Sequence, residues 1–395
     1  MRRGKAGVPP PGRAAFFCPL SGGRRPRARV GLSSRGAAPF LSGVGANGHR
    51  FLLGTYTRAE SRGIYCADLD ARTGALGQPA LAAESPNPTF LALSPDGAFV
   101  YAVCAGPAWA SSFRVDPASP RLAPVQLARP DASPTPCHIA VDRSGRIAVA
   151  ANYHLALAAL IPLGGDGSLG APAIVAHSGR GVHPTRQASA HVHSANISPD
   201  GRFAVVCDLG LDRVYSYRID REAKVLAPGP VPFVAAAPGS GPRHMAFGRS
   251  GRHAYVINEL DNTIVAYGYD AEAGRLSPMQ SVSVLPQGFT GAATAAEVRV
   301  HPGGRFLYGS SRGPDSIAVF AIDEPSGRLS HVETVPCGGR GPRHFSLTAD
   351  GAWLVCAHQD SNSACSFAVD PDSGRLRRIG GSIGVSMPVC VLFLG

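Results

Sequence analysis

The sequence predicts an all-β fold, a seven-bladed β-propeller of four-stranded blades whose ring is closed by the C-terminal strand in the N-terminal blade. Three observations predict it. With 48 Gly, 35 Pro, 44% hydrophobic and only 16% charged residues, the composition suits short strands joined by tight turns. A turn phrase recurs at the spacing of a propeller blade, and the chain ends on an apolar strand without a hairpin of its own.

The phrase reads SPDGAFVYAVC from Ser94, RSGRIAVAAN from Arg143, SPDGRFAVVCD from Ser198, RSGRHAYVIN from Arg249, HPGGRFLYGSS from His301 and ADGAWLVCAH from Ala349. Its glycines (Gly97, Gly145, Gly201, Gly251, Gly304 and Gly351) are 48, 56, 50, 53 and 47 residues apart, a blade length rather than a helical-repeat length. Each phrase has an apolar run on both sides of the turn, so it predicts an inner hairpin. A second turn type, such as DARTGALG from Asp70, DAEAGRLS from Asp270 and DPDSGRLR from Asp370, supplies the outer hairpins.

Six phrases are complete, and the run Phe51 to Tyr56 followed by DARTGALG matches the second half of a seventh. Its first strand is expected from Val389 to Leu394, which would close the ring and remove exposed edges. Residues 48–395 are thus read as one propeller domain.

Residues 1–47 are set apart by charge. The first fifty positions hold ten of the basic side chains and no carboxylate, Glu60 being the first; the rest of the chain has 28 basic against 27 acidic residues. The net charge of +11 therefore belongs to a basic leader, read as a disordered or targeting segment or as residues upstream of the true start. The near-neutral remainder argues against nucleic-acid or membrane partners. No run approaches the roughly 20 apolar residues of a spanning helix. Nine cysteines without a CxxC pair fit reduced core thiols in a cytoplasmic protein, with organellar import by the leader as the alternative. Oligomeric state is left open.

In a hairpin, residues equidistant from the turn share one end. Seven or eight positions before the turn glycines stand His193, Arg243 with His244, Glu297, and Arg343 with His344; seven or eight after stand Glu259, Arg312, His358 and Gln359. Inner strands line the central channel, so these groups are expected at its mouth, and guanidinium forks around a carboxylate suit an anionic small molecule. His191 and His193 share a strand face, compatible with a metal, but no third ligand follows from spacing. No metal or other cofactor is expected. An acid/base or hydrogen-bonding role for His193 fits better. Gly309 to Gly313 has the letters of GxSxG without the strand-to-helix context, so Ser311 is not read as a nucleophile. There is no P-loop, and Lys5 and Lys224 are the only lysines. The phrase GPRH occurs at both Gly241 and Gly341.

The segments from His191 to Asp220, Gly241 to Tyr267, Leu285 to Phe320 and Gly341 to Gly351 resemble the lactonase-type propeller family, which includes 6-phosphogluconolactonases and the fungal muconate lactonizing enzyme. The resemblance runs from about Phe51 to Leu394. It implies hydrolysis of 6-phosphoglucono-δ-lactone in the pentose phosphate pathway; a lactonizing cycloisomerase acting on a dicarboxylate and a non-catalytic interaction platform are the alternatives. It also implies that His193, Arg243, Glu259 and Arg312 are catalytic; His191, His244, Glu297, Arg343, His344 and Gln359, placed near them by the count from the turns and by the shared strand face of His191 and His193, are expected to bind a small anionic sugar lactone. Either Glu259 or His193 would be the base. Two departures from the family pattern, Ser311 and His358, are expected at the channel mouth.

Overall fold

The inner turns reverse the chain only if one residue adopts a left-handed backbone, and glycine does so at least cost. In the computed structural model, which describes residues 48–106, 109–128 and 134–395, the six turn glycines from Gly97 to Gly351 have φ between 68° and 80°. The hairpins they make assemble into seven four-stranded antiparallel sheets. Residues 1–47, read as a leader, lie outside the described residues.

Blade 1 is built from both ends of the described chain, in the order Pro388–Phe393, Gly48–Thr55, Gly63–Asp70, Ala80–Glu84. Phe51 pairs with Phe393 and Leu53 with Val391, so the C-terminal strand closes the ring as the sequence predicts. Phe51, Leu53 and Val391 pack with Trp353, Val355 and Ile383 of blade 7, and each such buried side chain stabilises the closure by roughly 1.5–3 kcal/mol. The innermost strands of blades 2 to 7 are Leu91–Leu93, His138–Val141, Val192–Ile197, Pro242–Phe247, Thr294–Val300 and Pro342–Leu347.

Outer turns lock neighbouring blades together. A Cβ on Gly74, Gly274 or Gly374 would come within 2.2 to 2.5 Å of Trp353, Phe203 or Phe306, each an aromatic side chain of the preceding blade. The glycine is the socket and the aromatic ring the plug. In blade 4, where the sequence shows no outer glycine turn, Lys224 takes the left-handed position with φ 56°.

The inner ladders carry a further regularity that a period-two reading does not contain. Pairing slips by one residue at His193 in blade 4, Arg243 in blade 5 and Arg343 in blade 7. In blade 6 the slip takes in Ala296 and Glu297. Such bulges bend a strand and re-aim the extra side chain. Four blades thus direct a residue out of the ladder at the same end of the channel.

Candidate active site

At that end lies a cavity of about 620 Å³, within the usual size of a small-molecule site. His193, Glu259, Arg312 and Arg343 line it, together with Tyr56, Arg58, Tyr153 and Arg186. Glu259 follows the second strand of blade 5, where its N–H donates to Gly241 O at 2.8 Å. That bond fixes the carboxylate beside the bulged Arg243 of the same hairpin.

Glu259 is 4% exposed, and an isolated carboxylate could not remain ionised there. It is surrounded instead. Arg243 Nε–H donates to Oε2 at 2.9 Å, Arg312 Nη2 approaches the same oxygen at 3.2 Å, and Arg186 pairs with Oε1. Burial opposes ionisation, but the cationic Arg312, Arg243 and Arg186 outweigh it and hold the carboxyl well below its ordinary range. Arg312 also donates to Ala295 O at 3.0 Å; burial brings it down to about 10, leaving it cationic at neutral pH.

His193 Nε2 faces Glu259 Oε2 at 3.7 Å, while Nδ1 is buried without a hydrogen-bond partner. Burial, and next the charge of Arg243, push this imidazole well below its usual titration range. A neutral imidazole therefore stands next to an ionised carboxylate. Tyr153 packs edge-on to His193 at 5.4 Å between centroids, and the Arg186 charge lies near its hydroxyl.

Arg243 is 2% exposed and stands behind Glu259, with its second anchor at Ala296 O. It reaches the cavity through the carboxylate it holds. His191 is also displaced from the expected role: its ring stacks on Tyr153 at 4.2 Å and Nδ1 meets Tyr153 O at 3.0 Å. Gln359 holds in blade 7 the place Glu259 holds in blade 5, bonding through its N–H to Gly341 O, but it is not among the cavity-lining residues.

His244, Glu297 and His344 do not reach the cavity either. They form a second polar layer deeper in the channel, because the bulge separates each from its neighbour in sequence. His244 Nδ1–H donates to Glu297 Oε2 at 2.8 Å, His344 Nε2 lies 3.5 Å from the same oxygen, and Arg299 pairs with Oε1 at 2.9 Å. His344 Nδ1 accepts the N–H of Val391 at 3.1 Å, tying blade 7 to the closing strand. The histidine of the second GPRH phrase is thus a strand anchor. His138 does the same between blades 3 and 4, accepting from Ala195 at 3.4 Å. Burial pushes His138 and His344 down to about 3 and His244 well below its usual range. Phe90 seals the layer, with centroids 4.3 Å from His138 and 5.3 Å from His344.

The two departures noted in the sequence also sit away from the mouth. Ser311 is buried and donates to Asn262 Oδ1 at 3.3 Å, and His358 is buried with Nε2 at 2.9 Å from Cys337 O. Among the described residues no three His, Cys, Asp or Glu side chains converge on a metal-sized position.

The family described as "Lactonase, 7-bladed beta-propeller" matches residues 50–393. The chain belongs to this lactonase family. It is 36% identical over 345 residues to a 6-phosphogluconolactonase of Bacillus subtilis, covering 87% of this chain and 97% of that one. The structure of a periplasmic gluconolactonase of Pseudomonas aeruginosa superposes with a TM-score of 0.81 at 34% identity, over 88% of this lactonase and 99% of that chain. A putative 6-phosphogluconolactonase of Bacteroides fragilis gives 0.80 at 32% identity, over 90% and 99%.

Two cavity residues of the lactonase escape a reading by repeats. Arg186 lies on the long connection between Ala173–Ala176 and Val192–Ile197, pinned by the buried Gln187, whose amide donates to Leu209 O and Asp212 Oδ1 at 2.8 and 2.7 Å. The 56-residue gap between Gly145 and Gly201 is the signal of this insertion. Arg58 lies on the loop between Gly48–Thr55 and Gly63–Asp70, and no repeat marks it.

Proposed function

We propose that this lactonase hydrolyses 6-phosphoglucono-δ-lactone to 6-phosphogluconate, and so serves the pentose phosphate pathway. The observation that carries the reading is the ionised Glu259, held by three guanidinium groups beside the neutral His193 in a cavity of sugar-phosphate size.

Water adds to the lactone carbonyl, the ring C–O bond then breaks, and the ring oxygen leaves as a hydroxyl. Arg312 is the donor for the oxyanion, since it enters the cavity and stays cationic. His193 Nε2 takes the proton of the attacking water, and Glu259 stabilises the imidazolium that forms. Both groups have a lowered proton affinity in the resting site, His193 through burial and Glu259 through three guanidinium groups, and His193 is assigned as the base because a proton taken up there comes to rest beside the Glu259 carboxylate. His193 then returns the proton to the leaving ring oxygen. Arg243 positions Glu259 from behind.

Eight free cysteines among the described residues and a phosphorylated substrate fit a reducing, cytoplasmic location. No helix among the described residues is long and apolar enough to cross a membrane. The reading is tested by assaying lactone hydrolysis with His193→Gln and Glu259→Gln. Each should lose at least about a hundredfold in kcat/KM, the scale of a lost acid/base or electrostatic group. Rates equal to the parent protein would overturn it.

A further inference from the structure

The cavity has two electrically different walls. On the side of blades 4 to 6, Glu259 neutralises part of the charge of Arg186, Arg243 and Arg312. The other wall comes from blade 7 and blade 1, which the seven-fold ring places across the channel from blades 4 and 5. Here Arg343 and Arg58 enter the cavity, and among the described residues neither has a carboxylate partner.

Both guanidinium groups lie against one ring. Arg58 Cζ is 4.1 Å from the centroid of Tyr56 and Arg343 Cζ is 5.7 Å from it. An aromatic face holds a guanidinium group by attraction to its π-electrons while leaving the N–H fork free for an anion. Arg343 is further fixed by its bulge between Pro342 and His344. Asn87 and Thr89 complete this wall with neutral polar groups. Among the described residues Glu259 is the sole carboxylate lining the cavity, so the described part of this wall carries uncompensated positive charge. Arg343 also stands close enough to lower the proton affinity of Arg243 and Arg312, a repulsion that a bound anion would relieve.

We infer that Arg58 and Arg343, held on Tyr56, form a subsite for a phosphate monoester, separate from the wall where the lactone carbonyl reacts. The inference rests on the lactonase reading above and names the feature that would separate phosphorylated from unphosphorylated sugar lactones. A phosphate monoester carries about −1.5 to −2 charges at neutral pH, which two guanidinium forks match. The ester sits on the exocyclic carbon, outside the lactone ring. A site that aligns the carbonyl must therefore give the anion its own station.

The test compares kcat/KM for 6-phosphoglucono-δ-lactone and glucono-δ-lactone in the full chain, Arg58→Gln and Arg343→Gln, with melting temperature as the folding control. The full chain should favour the phosphorylated lactone. Each variant should reduce that preference by at least about tenfold, mainly through KM, and weaken inhibition by inorganic phosphate in parallel. Preference retained in both variants overturns the subsite and leaves the lactonase reading standing. A full chain that hydrolyses glucono-δ-lactone with no preference for the phosphate also overturns it. Hydrolysis of neither lactone removes the proposed function and the subsite together.

Discussion

Arg243 Nε–H donates to Glu259 Oε2 at 2.9 Å, and the two side chains, 2% and 5% exposed, are the most deeply buried ion pair of the cavity wall. The bulge at Arg243 makes the pair possible, because it turns that residue out of the ladder toward the end of its own hairpin.

Removing one partner of a buried pair leaves the other charge without compensation. Arg243→Ala should destabilise the fold by about 3 kcal/mol, at the lower end for such pairs because Glu259 keeps Arg312 and Arg186. Chemical denaturation measures it. Arg243→Lys keeps a charge but loses the fork to Glu259 and Ala296, and should recover only part of the stability.

Acid should unfold the protein early. In the unfolded chain an imidazole takes up a proton near pH 6.5, whereas folded His138 and His344 resist until about pH 3. Between those values the unfolded state binds more protons, so stability falls as pH drops below about 6.5. Each such histidine contributes a slope of about 1.4 kcal/mol per pH unit. His193 and His244 add to it in the same direction. Below the ordinary carboxylate range Glu259 adds a further loss, since its pKa is depressed in the fold. Unfolding free energies at pH 7, 6 and 5 check the slope, and His138→Phe should flatten it.

Glycine turns should differ in sensitivity according to what faces them. At Gly97 a Cβ would meet nothing within 4 Å, so Gly97→Ala should cost only the left-handed strain, about 1 kcal/mol. At Gly374 the Cβ would lie 2.5 Å from the Phe306 ring, so Gly374→Ala should cost clearly more, about 3 kcal/mol with the displaced packing. Lys224→Gly should stabilise by about 1 kcal/mol by relieving φ 56°. Thermal melts of the three variants rank them.

The architecture was legible because its determinants are local and repeated. Turn glycines, apolar runs and the orphan strand around Val391 need no knowledge of distant contacts. The site was legible in part. His193, Glu259, Arg312 and Arg343 come together in the cavity because they end inner strands, and a count from the turns finds strand ends. The same count put Arg243 and His244 in one group, whereas the bulge sends one toward Glu259 and the other to Glu297 in the deeper layer. A period of two cannot show an inserted residue. Arg186 and Arg58 were missed because they belong to connections that the repeat does not preserve.

Hydrolysis of 6-phosphoglucono-δ-lactone by the full chain and by Glu259→Gln, followed as acid release and corrected for spontaneous ring opening, tests the central claim most directly. The full chain should accelerate ring opening, and the folded variant should lose at least about a hundredfold in kcat/KM. A variant as fast as the full chain, or a full chain no faster than buffer, would contradict it.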